Sequence, residues 1–146
     1  MLDQEKFFNT YKVQEAFEDS GLSWDTLEKI YDDYKSRLPE MKKMADHLQE
    51  EISKEIDFHV HSIHNRCKNP EHLIEKIIRK VGVEKRQKYK SINEKNYLRI
   101  VRDLMGVRIL ILSKEEWRTV HDFLLKVDED PRYDICMAEM PRAYIR

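Results

Sequence analysis

An apolar side chain recurs at every third or fourth position between residues 27 and 52, and this stripe limits the possible folds most strongly. Its members are Leu27, Tyr31, Tyr34, Leu38, Met41, Ala45, Leu48 and Ile52. Alternating steps of four and three match the turn of an α-helix, so the spacing predicts one long amphipathic helix with Ser23 as its N-cap. The stripe stays in phase across Pro39, which indicates a kinked helix or two nearly collinear helices rather than a domain break. Its mixed Tyr, Met and Ala content favours a helix packed on a sheet over a coiled coil.

The segments on either side of this helix follow other patterns. Residues 3–20 are expected to be helical, with a break near Gly21. Residues 58–63 alternate between apolar and polar side chains, which predicts a strand that runs on towards Arg66. Asn69 and Pro70 are typical of a helix start, and the next helix carries its apolar side chains on one side and ends at Gly82. That apolar side comprises Leu73, Ile74, Ile77, Ile78 and Val81.

The last third of the chain predicts further β and α elements. Residues 85–95 form a basic polar loop, residues 97–101 a short helical turn, and residues 107–112 an apolar strand buried on both faces. Ser113 and Glu116 form a capping box for a helix that places Trp117 in the core, as Trp24 is placed earlier. Residues 133–138 predict a final strand. The whole order is helices followed by β-α-β-α-β, an α/β (α+β) fold with a small mixed sheet.

Composition limits the class of protein. The 146 residues suit a single domain. We divide it into a helical lead-in over residues 1–56 and the first part of the core over residues 57–146. Hydrophobic residues make up 40% and charged residues 38%, which is typical of a water-soluble protein. No apolar run is long enough for a membrane span, and no secretory signal opens the chain, so we expect a cytoplasmic protein. Cys67 and Cys136 are too far apart to suggest a disulfide framework.

The net charge of −1 conceals a strongly basic middle segment. Residues 66–108 carry thirteen Lys and Arg against five Asp and Glu, whereas the flanking segments are acidic. Such a block typically binds a polyanion, and the competing interpretation is a solvated face that neutralises nearby acidic helices. The positions of the individual charges bear on the choice between these two interpretations.

Four basic side chains cluster at the predicted junction of strand and helix. Arg66 and Lys68 are two residues apart on one strand face, and His72 and Lys76 are one turn apart on the following helix. A helix N-terminus adds free N–H groups and a positive dipole end, and this set of cations suits a triphosphate. The alternative is an ordinary solvated basic helix face.

Asp103 and Arg108 form a second pattern around the apolar strand. A carboxylate at a strand end commonly binds Mg²⁺ together with phosphates and water. An arginine within an apolar strand needs a partner, so an Asp103–Arg ion pair that fixes the turn is an equally good interpretation.

Taken together, these residues resemble a known family. Arg66-x-Lys68-x-x-x-His72-x-x-x-Lys76, followed by Asp103-Leu-x-Gly-Val-Arg108-Ile, is similar to the paired signature of the RelA/SpoT-type alarmone ((p)ppGpp) synthetases. The segment from Leu22 to Tyr34 also resembles the opening helices of the family's small single-domain members. The resemblance covers about residues 22–146 and implies the N-terminal part of a synthetase domain with a nucleotidyltransferase-like fold. Members of the family transfer pyrophosphate from ATP to the 3′-hydroxyl of GTP or GDP.

The resemblance implies a role for each of these positions. Arg66 and Arg108 would sandwich the adenine ring, as planar guanidinium groups can. Lys68, His72 and Lys76 would bind the ATP phosphates, although the family usually has serine at the position of His72. Asp103 would be catalytic through its binding of Mg²⁺, the implied cofactor.

One departure from the family concerns the acceptor side. The family's Tyr/Ser/His stretch for the guanine nucleotide and its Glu-x-Gln-x-Arg stretch do not occur in the sequence, so we expect this chain to be inactive alone. The acceptor therefore stays open among GTP, GDP, other adenine nucleotides and the 3′ end of tRNA, as does homo-oligomer formation. The rival hypothesis is a non-catalytic nucleotide- or RNA-binding module that uses the 85–95 loop.

Overall fold

Helices dominate the part of the chain that the computed structural model describes, which is residues 1–56 and 60–129. The helices are α1 (Gln4–Tyr11), α2 (Gln14–Ser20), α3 (Trp24–Ile56), α4 (Pro70–Gly82), α5 (Tyr97–Ile100) and α6 (Lys114–Glu129), with a 3₁₀ turn at Gln87–Tyr89. Two strands, β1 (Ser62–Cys67) and β2 (Met105–Leu110), pair with each other. None of the described helices is both long enough and apolar enough to cross a membrane.

The two strands run antiparallel. At one end of the pair the His61 N–H donates to the Leu110 carbonyl at 2.8 Å, and at the other the Lys68 N–H donates to the Leu104 carbonyl at 2.7 Å. The described residues therefore have the α+β composition that the sequence predicts. β1 begins at Ser62, later than predicted, and the predicted strand at 133–138 lies outside the described residues.

The long helix α3 forms as its apolar stripe predicts. The Ser23 hydroxyl accepts the Thr26 N–H at 3.2 Å, which caps the helix start. Pro39 lies inside the continuous helix rather than at its end. The chain nevertheless divides into two compact units at residue 40, immediately after this proline. The first unit contains residues 1–40 and 67–104, and the described residues of the second are 41–56, 60–66 and 105–129.

The first unit packs α4 into the middle of its core. Leu73, Ile74, Ile77 and Ile78 of α4 are fully buried, as their spacing predicts. At the end of this helix Gly82 approaches α2 so closely that an added Cβ would lie 1.9 Å from the Ala16 carbonyl oxygen. Gly82 thus permits backbone contact between two helices, in addition to standing at the predicted helix end.

The second unit has its own apolar cluster, formed by Ile52, Ile56, Ile63 and Val120, with Val107 and Ile109 packed against it. The prediction that the 107–112 strand is buried on both faces is wrong for the described structure, because Leu110 is 49% and Leu112 is 76% exposed. The β2 side chains that pack against the cluster, Val107 and Ile109, lie on the same face of the strand. This is the pattern expected for a sheet with one covered face.

The helix α6 starts as predicted, because the Ser113 hydroxyl accepts the Glu116 N–H at 3.3 Å. The prediction that Trp117 belongs to the core is wrong, since 37% of this residue is exposed. Its ring instead stacks on His121 with centroids 4.7 Å apart. Trp24 differs, because it joins Phe7, Phe8 and Phe17 in an aromatic cluster with centroid distances of 5.5–6.0 Å.

Candidate functional site

Asn69 sets the start of α4 and thereby the positions of the basic side chains that follow. Its side-chain oxygen accepts the Glu71 N–H at 2.8 Å and the His72 N–H at 3.4 Å, and Pro70 occupies the first turn. The predicted N-cap is therefore confirmed. Lys68 lies just after β1, which ends at Cys67, rather than on the strand with Arg66 as predicted, and Lys76 lies on α4. Both lysines belong to the first unit.

Both lysines converge on one carboxylate. The Lys76 ammonium lies 2.6 Å from Asp103 Oδ1, and the Lys68 ammonium lies 3.1 Å from Asp103 Oδ2. The lysine side chains are only 14% and 15% exposed, whereas the Asp103 side chain is 41% exposed. Two largely buried cations thus share one accessible anion, which leaves one positive charge in excess. We call Lys68, Lys76 and Asp103 the lysine–aspartate cluster.

The cluster keeps Asp103 ionised. Burial alone would raise the pKa of this carboxyl group, but hydrogen bonds from Lys76 and Lys68 outweigh that effect and hold the pKa below its usual value of 3.8. Asp103 therefore carries a full negative charge at neutral pH. An ionised carboxylate is the form that can ligate a hard divalent cation.

His72 lies one turn before Lys76 on α4, and among the described residues it makes no ion pair with Asp103. Its ring is exposed and meets the Tyr11 ring edge-on at 5.8 Å, while the Tyr11 hydroxyl donates to Glu71 at 2.7 Å. Of the three predicted phosphate ligands, Lys68 and Lys76 thus share Asp103, whereas the His72 ring contacts Tyr11.

Arg66 and Arg108 lie on β1 and β2 of the second unit. Both are exposed, on even-numbered positions that alternate with the side chains facing the apolar cluster. Within the described ranges neither guanidinium has an ion-pair partner, so the expectation that Arg108 is buried and paired with Asp103 is not met. Asp103 pairs with lysines instead.

A second group of charges was missed by sequence reasoning. Glu84, just after α4, accepts from Arg79 at 2.6 Å, Lys80 at 2.7 Å and Arg86 at 3.2 Å. Arg79 and Lys80 follow Lys76 on α4, and both pair with this glutamate. The one signal that could have indicated this pairing is the spacing of four between Lys80 and Glu84.

The described side chains offer little for a permanently bound metal ion. No group of three or more His, Cys, Asp or Glu side chains lies within ligating reach of one another in the described part of the chain. Asp103 contributes a single carboxylate, which fits Mg²⁺ that arrives with the phosphates of a nucleotide better than a permanently bound ion.

Comparison with protein-family models, with curated proteins and with solved structures gives no match for this chain.

Proposed function

We propose that this chain supplies the ATP-binding side of a pyrophosphokinase of the RelA/SpoT type, with GTP or GDP as the acceptor in the complete enzyme. The observation that carries the proposal is the lysine–aspartate cluster, in which a lysine from the link between β1 and α4 and a lysine from α4 meet at one carboxylate. The motif resemblance points to the same three residues. The nucleotidyltransferase-like topology belongs to this proposal as well.

The cluster has the chemistry that a polyphosphate requires. A triphosphate offers several anionic oxygens, and each can replace an Asp103 oxygen as the acceptor for a lysine ammonium. Because the lysine side chains are already ordered and largely buried, little conformational entropy is lost when they bind a phosphate. Asp103, once released from the lysines, is accessible enough to ligate the Mg²⁺ that neutralises phosphate charge.

Arg66 and Arg108 are suited to the base rather than to the phosphates. Both guanidinium groups are exposed and lack an ion-pair partner in the described ranges, so their planar faces are available for stacking. Arginine stacks on aromatic rings more readily than lysine because its charge is delocalised and weakly hydrated. It is the motif resemblance that assigns these two arginines to the adenine ring.

Calorimetry with ATP and AMP tests the phosphate assignment. Lys68→Ala and Lys76→Ala should each weaken ATP binding by about ten- to a hundredfold, the value of one charge-assisted hydrogen bond, and leave AMP binding nearly unchanged. Arg66→Ala should weaken ATP and AMP binding alike, because its proposed contact is with the base.

Lys29→Ala is the matched control, since Lys29 pairs with Asp25 on an exposed part of α3 in the same unit. It should change neither affinity. Equal losses for AMP and ATP in the two lysine variants would show that these lysines are not phosphate ligands.

One observation supports the rival function of RNA binding. Lys88, Lys90 and Lys95 are exposed and have no anionic partner in the described ranges, and they lie on a segment anchored by the buried residues Tyr89 and Ile92. Binding of single-stranded RNA that weakens steeply with salt, and that is lost in Lys88→Ala/Lys90→Ala but kept in Lys68→Ala, would favour this alternative.

A further inference from the structure

A buried tyrosine hydroxyl lies where the two backbone segments of the lysine–aspartate cluster meet. The Tyr34 hydroxyl, on α3, donates to the Lys68 carbonyl at 2.7 Å and lies 3.4 Å from the Leu104 carbonyl. Leu104 directly follows Asp103, and its carbonyl also accepts the Lys68 N–H at 2.7 Å. One side chain therefore contacts both the segment that carries Lys68 and the segment that carries Asp103.

The Tyr34 hydroxyl is a permanent donor. The residue is fully buried, so the packing of α3 fixes its ring and hydroxyl. Burial, with smaller effects from Cys67 and Asp103, raises the pKa of Tyr34 to about 12, so the hydroxyl keeps its proton across the physiological range.

We infer that Tyr34 is a positioning residue of the proposed phosphate site, which holds the Lys68 backbone against the Asp103–Leu104 segment. This inference rests on the proposed function in one respect, namely that the ligand is a polyphosphate. The hydroxyl holds the Lys68 carbonyl, at the start of the short segment between β1 and α4. It thereby fixes the backbone from which the Lys68 side chain extends. Since Lys76 is placed by α4 itself, Tyr34 sets the separation of the two ammonium groups that a triphosphate must span.

Tyr97 provides a matched comparison in the same unit. It is also fully buried, its ring meets the Tyr34 ring edge-on at 6.3 Å, and its hydroxyl also makes one short hydrogen bond. That bond goes to Asp33 at 2.6 Å rather than to the backbone of the cluster. Removing either hydroxyl therefore removes one short, partly buried hydrogen bond, but only the Tyr34 hydroxyl contacts the backbone of Lys68 and Leu104.

The test compares Tyr34→Phe with Tyr97→Phe in the full chain. Both variants should lower the urea midpoint by a similar amount, which reports the shared structural effect. Only Tyr34→Phe should weaken ATP binding, by about fivefold to tenfold, with AMP affinity kept within twofold. It should also speed hydrogen exchange of the Lys68 amide, measured by NMR, whereas Tyr97→Phe should leave that rate unchanged.

The two readouts separate this inference from the proposed function. An unchanged Lys68 exchange rate in Tyr34→Phe, or equal changes in the two variants, would overturn the positioning role. If wild-type chain binds neither ATP nor AMP, the proposed function fails, and faster Lys68 exchange in Tyr34→Phe alone still supports the positioning role. If wild type binds ATP but both variants lose affinity equally, the hydroxyl has a general structural effect and the inference is wrong.

Discussion

Asp103 is the residue on which the charge balance of the site depends. It binds the ammonium groups of two lysines whose side chains are 14% and 15% exposed, and these ammonium groups would otherwise repel each other. Removing the shared anion leaves two cations close together with reduced hydration, which is costly in a protein. The same carboxylate is therefore needed for stability before a ligand binds, and this structural role is compatible with a role in binding Mg²⁺.

Asp103→Asn should lower the free energy of unfolding by about 1–2 kcal/mol at neutral pH, a value reduced for the partial exposure of the site. Because the folded-state pKa of Asp103 lies below its unfolded value of 3.8, the stabilisation is present above that pH and is lost as the pH falls through the folded pKa. The difference between wild type and variant should therefore disappear in acid. Urea unfolding at a series of pH values measures it.

Asp25→Asn is the control for this prediction, because Asp25 pairs with Lys29 at 2.7 Å but is 73% exposed. Its effect should stay below about 0.5 kcal/mol at every pH. A difference between wild type and Asp103→Asn that persists in acid would mean that the ion pairs are not its cause.

At the scale of elements, the contact between α2 and α4 depends on one glycine. Gly82 is the last residue of α4 and has no positive φ, so helix propensity alone would make Gly82→Ala stabilising. The structure leads to the opposite expectation, because the new Cβ would meet backbone atoms of Ala16 that no side-chain rotation can move.

Gly82→Ala should destabilise the chain by about 2 kcal/mol or more, since the overlap outweighs the gain of about 1 kcal/mol in helix propensity. Thermal unfolding followed by circular dichroism measures the change. Gly106→Ala is the control, because an added Cβ at Gly106 has no neighbour within 4 Å and should change stability little. A Gly82→Ala variant as stable as wild type would show that α2 moves away at little cost.

At the scale of the whole molecule, the chain forms two compact units that both include part of α3. The described core is larger in the first unit, where Leu27, Ile30, Tyr34, Leu73 and Tyr97 are among the fully buried side chains. Among the described residues of the second unit, four buried side chains form the cluster. The first unit should therefore be the more stable of the two.

One tryptophan in each unit allows this to be measured. Trp24→Phe leaves Trp117 as the fluorescent reporter of the second unit, and Trp117→Phe leaves Trp24 as the reporter of the first. We expect the transition reported by Trp117 to occur at a lower urea concentration than the one reported by Trp24. Each variant's circular dichroism transition provides the control for the effect of the substitution itself. Coincident transitions would show that the chain unfolds as a single cooperative unit.

The sequence by itself determined most of the helices and their caps, although it predicted one helical segment over 3–20 where the structure has α1 and α2 separated at Lys12 and Val13. The apolar stripe of α3, the buried side of α4 and the capping residues Asn69 and Ser113 all follow from patterns that extend over a few residues. Helix periodicity and capping are local, because the hydrogen bonds involved join residues three or four positions apart. The same patterns also selected Lys68, Lys76 and Asp103 as candidates, although not the contacts between them.

Only the tertiary structure decided what those residues contact and which apolar side chains are covered. Asp103 is 27 residues from Lys76 in the sequence, and their ion pair depends on how the chain folds back rather than on any local period. The way the chain folds back also determines three other features. These are the exposure of Trp117, the exposed face of β2 and the close approach of Gly82 to Ala16. Whether a side chain is buried depends on which element from a distant part of the chain packs against it. A local sequence pattern does not identify that element.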